Sequence, residues 1–166
     1  MRDASEAVLR RYRSEDLDAM FRLDLVCFEP RFRFSREQMK RFASSRKARV
    51  VVAEIGSELA AFCIVHIESV PGSGKVGYLV TLDVAPHARR LGLAGRLMRY
   101  AEAEALESGC VAMMLHVFRG NSPAIQFYER LGYVCSHTAA GFYGAGADAL
   151  VYHKPLMRDE CATDSD

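Results

Sequence analysis

Between residues 48 and 84 the chain is nearly unbroken in strand-forming residues: "ARVVVAEIG", "ELAAFCIVHIESV" and "KVGYLVTLDV" are interrupted only at Gly56-Ser57 and at Pro71–Gly74. β-Branched and aromatic runs separated by short Gly- and Pro-containing turns fold back on one another as antiparallel neighbours. Three such strands in succession place a sheet at the centre of the fold. The alternating stretch "AVLRRYR", Ala7 to Arg13, predicts a first strand ahead of them.

The rest of the chain must cover that sheet. "SEDLDAMFRLDLVCF" predicts a helix with Ser14 as N-cap, Glu15 and Asp16 in its first turn, and Leu17, Met20/Phe21 and Leu25 as its apolar stripe. Pro30 disfavours helix at Glu29. A second short helix then starts at Ser35, with Gln38 completing a capping box. After Val84, Leu93, Leu97, Ala101 and Ala105 recur at four-residue steps and Gly109 stands at the C-terminal cap position. "CVAMMLHVF" reads as a buried strand. A helix follows as far as Gly132, and "YVCSHTA" and "DALVYHKPL" are further strands. This order argues for one α/β or α+β domain, and 166 residues suffice for its core. The domain is expected to span 1–157, with 158–166 a short, acidic, disordered tail.

Composition narrows the function. Basic residues (22) and acidic residues (21) nearly balance, so no nucleic-acid or anionic-membrane partner is called for. The charged N-terminal stretch does not resemble a signal peptide, and no apolar run approaches the roughly 20 residues of a membrane span. Cys27, Cys63, Cys110, Cys135 and Cys161 are odd in number and scattered without C-x-x-C. Neither a disulfide framework nor a structural zinc site is expected, and a reducing cytoplasm fits. His66, His87, His137 and His153 show no ligand spacing and read as structural, so no metal is expected.

Two segments carry chemistry. In "LDVAPHARRLGLAGRLM" a strand ends at Val84 and Pro86, and Arg89, Arg90, Gly92, Ala94 and Gly95 lead into a helix. Small residues there leave the first-turn amides uncovered, which suits a pyrophosphate. Close packing of helix on strand accounts for the same residues. The turn is neither G-x-G-x-x-G nor a P-loop, and in "GSGKV" Val76 stands where a P-loop needs Ser or Thr. In "LHVFRGNSPAIQFYERLGY", Asn121, Ala124, Ile125 and Tyr128 fall on one helical face. Asn121 suits an N-cap. Tyr128 alone reads either as core or as a proton donor.

These segments resemble the two signatures of the GCN5-related N-acetyltransferase (GNAT) superfamily. "VAPHARRLGLA" is similar to V-x-P-x-x-[RQ]-x-x-G-x-[GA], and the second segment to L-x-V-x-x-x-N-x-x-A-x-x-[FL]-Y-x-x-x-G-[FY]. The resemblance covers roughly Tyr78 to Leu156. It implies a mixed, mostly antiparallel sheet splayed between its fourth and fifth strands, with helices on both faces. It further implies acetyl-CoA as co-substrate, with the pyrophosphate on Arg89, Arg90, Leu91, Gly92, Leu93, Ala94 and Gly95 and the pantetheine arm along Leu82 and Val84. Asn121 would reach the cofactor, the Val84 N–H would stabilise the oxyanion, and Tyr128 would protonate the departing thiolate.

"YLVTLDV" and "LHV" look like the RimI-like and NatE-type N-terminal protein acetyltransferases, in which Tyr78 and His116 would relay a proton from the amine. Bacterial RimI-type chains usually carry Glu where this chain has His116. Phe28 and Tyr143, with Phe32 and Phe142 nearby, match the loops that line the acceptor entrance there, though loop packing explains them too. The resemblance therefore implies direct transfer of an acetyl group to a protein N-terminus. Acid–base chemistry agrees: an α-amine titrates near ~7.7–8 and lysine near ~10.4, so a histidine near ~6.5 can serve the former without extreme tuning. Two alternatives are an acetyltransferase for a small amine (a polyamine, aminoglycoside or amino acid) and a non-catalytic acyl-CoA-binding module.

Overall fold

A computed structural model describes residues 6–158. Seven strands, β1 (Val8–Arg11), β2 (Ala48–Ile55), β3 (Glu58–Val70), β4 (Gly74–Val84), β5 (Cys110–Phe118), β6 (Val134–Ala139) and β7 (Ala149–Pro155), form one sheet in the order β1-β2-β3-β4-β5-β7-β6. Every neighbouring pair is antiparallel except β4 and β5, which run parallel. Four helices accompany it: α1 (Leu17–Cys27), α2 (Arg36–Ser44), α3 (Leu93–Glu107) and α4 (Ser122–Arg130). All but Arg158 of the expected acidic tail lies outside the described residues.

Both faces of the sheet are covered. Ala60 to Val65 of β3 are buried without alternation, which requires packing on each side. On one face α3 lies across β2 to β5, with Leu93, Leu97, Ala101 and Ala105 buried as their spacing predicts. Its close approach needs Gly77, where an added Cβ would come 3.1 Å from the Ala105 Cβ and 2.6 Å from the Met113 sulfur. On the other face α1 packs on β3 and β4, and α2 on β2. The His66 Nε2 lies 2.9 Å from the Phe42 carbonyl of α2.

The start of α1 differs from the sequence expectation. Ser14 does not cap it: a single 3-10 turn covers Ser14–Asp16 first, and the Asp16 carboxylate accepts the Arg13 N–H at 2.7 Å. Arg10 grips the same carboxylate in a bidentate pair at 2.7 and 2.8 Å, so the acidic residue organises the chain entry. The buried stripe of α1 is Leu17, Met20, Leu23 and Asp24, whereas Leu25 is exposed. By contrast the Ser35/Gln38 capping box at α2 forms on both sides, at 3.1 and 2.8 Å.

One irregularity positions the site. The β3–β4 register runs His66↔Tyr78, Val65↔Leu79, then Ile64↔Thr81 and Phe62↔Asp83, so Val80 is an extra residue in β4. A bulge bends its strand and resets side-chain parity. Tyr78, Thr81 and Asp83 therefore share the face toward α1 and α2, although unbroken alternation would put Tyr78 opposite the other two.

Candidate active site

The parallel ladder between β4 and β5 ends at Leu79↔Leu115, beside the bulge. Beyond it β4 continues to Val84 and β5 to Phe118 without pairing to each other, and the strands part. Ala85 N–H donates to the Ala60 carbonyl at 2.8 Å, so alternation turns the Leu82 and Val84 backbone groups away from β3 and toward the opening. The Val84 carbonyl there accepts from the Cys27 thiol at 3.4 Å and from Arg89 Nε at 3.1 Å. The amides of Leu82 and Val84 remain directed at the gap, an arrangement that an extended polar chain can pair with. The gap opens into a cleft of about 830 Å³, a size suited to a small-molecule ligand. Tyr78, Leu82, His116, Asn121, Tyr128, Phe28 and Tyr143 all line it.

Tyr78 Oη lies 2.9 Å from His116 Nδ1 at the point where the strands part. The Phe142 ring stacks flat on the imidazole, centroids 3.9 Å apart and planes 8° apart. Desolvation, and secondarily the His137 charge, pushes the His116 pKa below the usual histidine value, so the ring is neutral at pH 7. Burial pushes the Tyr78 phenol up to about 12, so it is protonated. When that hydroxyl donates to Nδ1, the ring carries its own hydrogen on Nε2.

Tyr128 approaches from α4. It is buried, and its hydroxyl has no hydrogen-bond partner among the described residues. Burial, reinforced by Cys63, Tyr143 and Asp83, raises its pKa far above a free phenol's, so it keeps its proton throughout the physiological range. Asn121 caps α4 as expected, its Oδ1 accepting the Ala124 N–H at 3.3 Å. The turn before α3 carries two left-handed residues, Arg90 at φ 63° and Gly92 at φ 77°. Nothing lies within 4 Å of where a Gly92 Cβ would stand, so glycine is needed there for its backbone, not for space. Leu93 is buried. The residues from Arg89 to Gly95 do not line the cleft itself.

The family model described as "Acetyltransferase (GNAT) family" matches residues 17–133, which include both signature segments. The chain belongs to the GNAT acetyltransferase family. It is 39% identical over 85 residues to N-alpha-acetyltransferase 20 of Dictyostelium discoideum, covering 50% of this chain and 49% of that protein. It is 36% identical over 94 residues to the N-terminal acetyltransferase B complex catalytic subunit of Schizosaccharomyces pombe, covering 53% and 52%. The chain thus spans about half the length of these two relatives. Arabidopsis thaliana NAA60, solved in complex with a bisubstrate analogue, superposes with a TM-score of 0.77 at 24% identity over 90% of this chain and 97% of that one, a likeness of fold.

In this GNAT domain one side of the cleft is aromatic. Phe32 meets Phe118 at 5.0 Å and Tyr143 at 5.1 Å, and Arg31 lies over the Phe32 and Phe118 rings at 4.7 and 4.9 Å. The Tyr143 hydroxyl donates to the His116 backbone carbonyl at 3.2 Å, which ties the β6–β7 loop to β5. Phe28, half-buried at the end of α1, lines the same cleft. Sequence reading alone does not reveal the Phe142 stack on His116, the Val80 bulge, or the pairing of two buried carboxyls, Asp24 and Asp83. The aromatic-rich "GFYGAGADAL" signals the first. Nothing in the sequence signals the bulge. Among the described residues no three or more His, Cys, Asp or Glu side chains cluster to hold a metal, and no helix is long and apolar enough to cross a membrane.

Proposed function

We propose that this protein transfers the acetyl group of acetyl-CoA directly to a primary amine, the α-amine of a protein or peptide N-terminus. The observation that carries the reading is the Tyr78–His116 hydrogen bond at the parting of β4 and β5, with Tyr128 lining the same cleft. The names of the two relatives support the acceptor class.

The residues present fit acetyl-CoA, which supplies the activated acetyl group as a thioester. The Leu82 and Val84 edge groups hold its pantetheine amides like an added strand. The turn from Arg89 to Gly95, with its two left-handed residues, holds the pyrophosphate at the start of α3. Asn121 reaches the cofactor from the α4 cap. Phe28 and Tyr143 flank the acceptor.

A neutral α-amine is the nucleophile. As it attacks, Tyr78 Oη takes its proton through a water while the phenolic hydrogen passes to His116 Nδ1, so no tyrosinate is formed. His116 then releases a proton to solvent from Nε2. The Val84 N–H donates to the oxygen that gains charge. Tyr128 donates its hydrogen to the sulfur as the C–S bond breaks.

A polyamine would call for an acidic cleft. Glu29 and Glu68 line this one, but Arg31 pairs with the first at 3.4 Å, Lys47 pairs with the second at 2.5 Å, and Arg33 adds a further positive charge. The four described cysteines, Cys27, Cys63, Cys110 and Cys135, are free, which supports a reducing compartment such as the cytoplasm. Incubation with acetyl-CoA and a panel of free-N-terminal peptides, N-blocked lysine peptides, polyamines and aminoglycosides tests the reading. Acetylation of the free-N-terminal peptides supports it, and efficient acetylation of a small amine with every peptide ignored overturns the acceptor class.

A further inference from the structure

Asp24 on α1 and Asp83 on β4 are 0% and 1% exposed, yet neither forms a salt bridge among the described residues. Their four oxygens divide in pairs. Asp24 Oδ2 accepts the Phe34 N–H at 3.0 Å, and Asp83 Oδ1 accepts the Thr81 hydroxyl at 2.6 Å. Asp24 Oδ1 and Asp83 Oδ2 have no other partner, and the two side chains lie within hydrogen-bonding reach of each other. Two carboxylates cannot sit this way in a dry site, but a carboxylic acid and a carboxylate can, and one shared hydrogen satisfies every oxygen. We propose that Asp83 and Asp24 are positioning residues that share one proton, and that this proton fastens the acceptor loop to the cofactor strand.

The connections give the pair that role. Asp24 holds both ends of the 28–34 loop: its carbonyl accepts the Phe28 N–H at 3.1 Å and its carboxylate accepts the Phe34 N–H. Arg33 closes the loop internally, its Nε donating to the Phe28 carbonyl at 2.7 Å. Asp83 stands between Leu82 and Val84, the two residues whose edge groups face the cleft. The Val80 bulge puts Asp83 on the α1 face at all. The acidic partner is Asp83: burial, which outweighs the Thr81 hydrogen bond and is reinforced by the Asp24 charge, raises its pKa well above the usual carboxyl range. Asp24 is raised less decisively, by burial against the Phe34 amide, the Asp83 hydrogen bond and the Arg33 charge. The other groups facing the pair are Cys27 on α1, Cys63 on β3 and Tyr128 on α4, all uncharged at neutral pH because burial raises their pKa values.

The sign of the pH effect follows. Asp83 keeps its proton in the fold and loses it on unfolding at any pH above about 4, so stability falls as pH rises. In Asp83→Asn an amide N–H replaces the acidic hydrogen, and the network persists with no proton to lose. The inference rests on the proposed reaction only for the word acceptor, and its main tests need no acceptor. Wild type, Asp83→Asn and Asp83→Ala are compared by infrared spectroscopy, by melting temperature against pH, and by hydrogen exchange at the Phe34 amide.

Wild type is expected to show a protonated-carboxyl band at neutral pH that Asp83→Asn lacks. The melting temperature of Asp83→Asn should gain on wild type as pH rises. Phe34 protection should fall with rising pH in wild type more than in Asp83→Asn, and should be lost in Asp83→Ala. With any peptide the enzyme acetylates, Asp83→Ala should raise the acceptor KM, and Asp83→Asn should restore it. Absence of the band in wild type overturns the proposal. So does a melting-temperature difference that is flat in pH, or Phe34 protection that responds identically in wild type and Asp83→Asn, comparisons that stand even where Asp83→Ala fails to fold.

Discussion

Tyr78 and His116 lie 38 residues apart in sequence, on strands whose pairing ends at Leu79↔Leu115, and their side chains meet at 2.9 Å. One residue of the pair precedes the last rung of the ladder and the other follows it, so the bond spans the apex of the V. With the His116 pKa lowered by burial, the imidazole is already neutral where a peptide α-amine is still largely protonated, near ~7.7–8. kcat/KM should therefore rise with pH in two stages, steeply until His116 deprotonates below its ordinary ~6.5 and then with unit slope until the amine is neutral. His116→Ala should leave only the upper stage and slow turnover, with acetyl-CoA affinity nearly intact. A pH–rate profile of the two proteins measures this.

Phe142 controls the lower stage. Its ring covers one face of the imidazole at 3.9 Å while being 48% exposed itself, so Phe142→Ala opens His116 to water with little cost to the core. Less desolvation raises the His116 pKa toward its ordinary value. NMR titration of the imidazole should show the upward shift, and the lower limb of the rate profile should move with it.

Tyr128→Phe removes a cleft-lining hydroxyl that has no hydrogen-bond partner among the described residues. The substitution breaks no hydrogen bond within the protein, so stability should hold within about 1 kcal/mol or increase. Turnover should fall by about 100-fold or more, the range of a lost general acid. Denaturation curves and steady-state rates read the two effects separately.

Gly92 adopts φ 77° with open space around it. Gly92→Ala should cost about 1–2 kcal/mol through the left-handed backbone alone. Gly92→Glu adds a charge that opposes a pyrophosphate, so titration calorimetry on the folded variant should find acetyl-CoA binding lost for Glu and weakened for Ala. Equal affinities for the two would remove the phosphate site from this turn.

Local signals in the sequence carry much of this fold. Gly56-Ser57 and Pro71–Gly74 mark both hairpins, Ser35 and Gln38 cap α2, and the four-residue steps from Leu93 to Ala105 define the buried face of α3. Non-local features are not legible. The insertion of β7 between β5 and β6 depends on pairing across the whole domain, and the Val80 bulge changes which face Thr81 and Asp83 occupy with no Gly or Pro to announce it. α1 is misjudged for a related reason. Residue type assigns Leu25 inward, although position 24, seven residues on from Leu17, lies on the buried face, and a carboxyl that finds another carboxyl and a backbone amide can occupy the core. Asn121 and Tyr128 share a helical face by spacing, and Tyr78 and His116 are nameable through the family resemblance, but the stacking of Phe142 on His116 is a property of the folded loop.

The central claim, that a weakly basic histidine serves an α-amine, is tested most directly by internal competition. One peptide carrying a free N-terminus and an internal lysine is incubated with enzyme and acetyl-CoA at pH 7, and fragmentation mass spectrometry locates the acetyl group. The account predicts acetylation on the α-amine, slowed in His116→Ala. Acetylation mainly on the lysine, or N-terminal acetylation unaffected by His116→Ala, would contradict it.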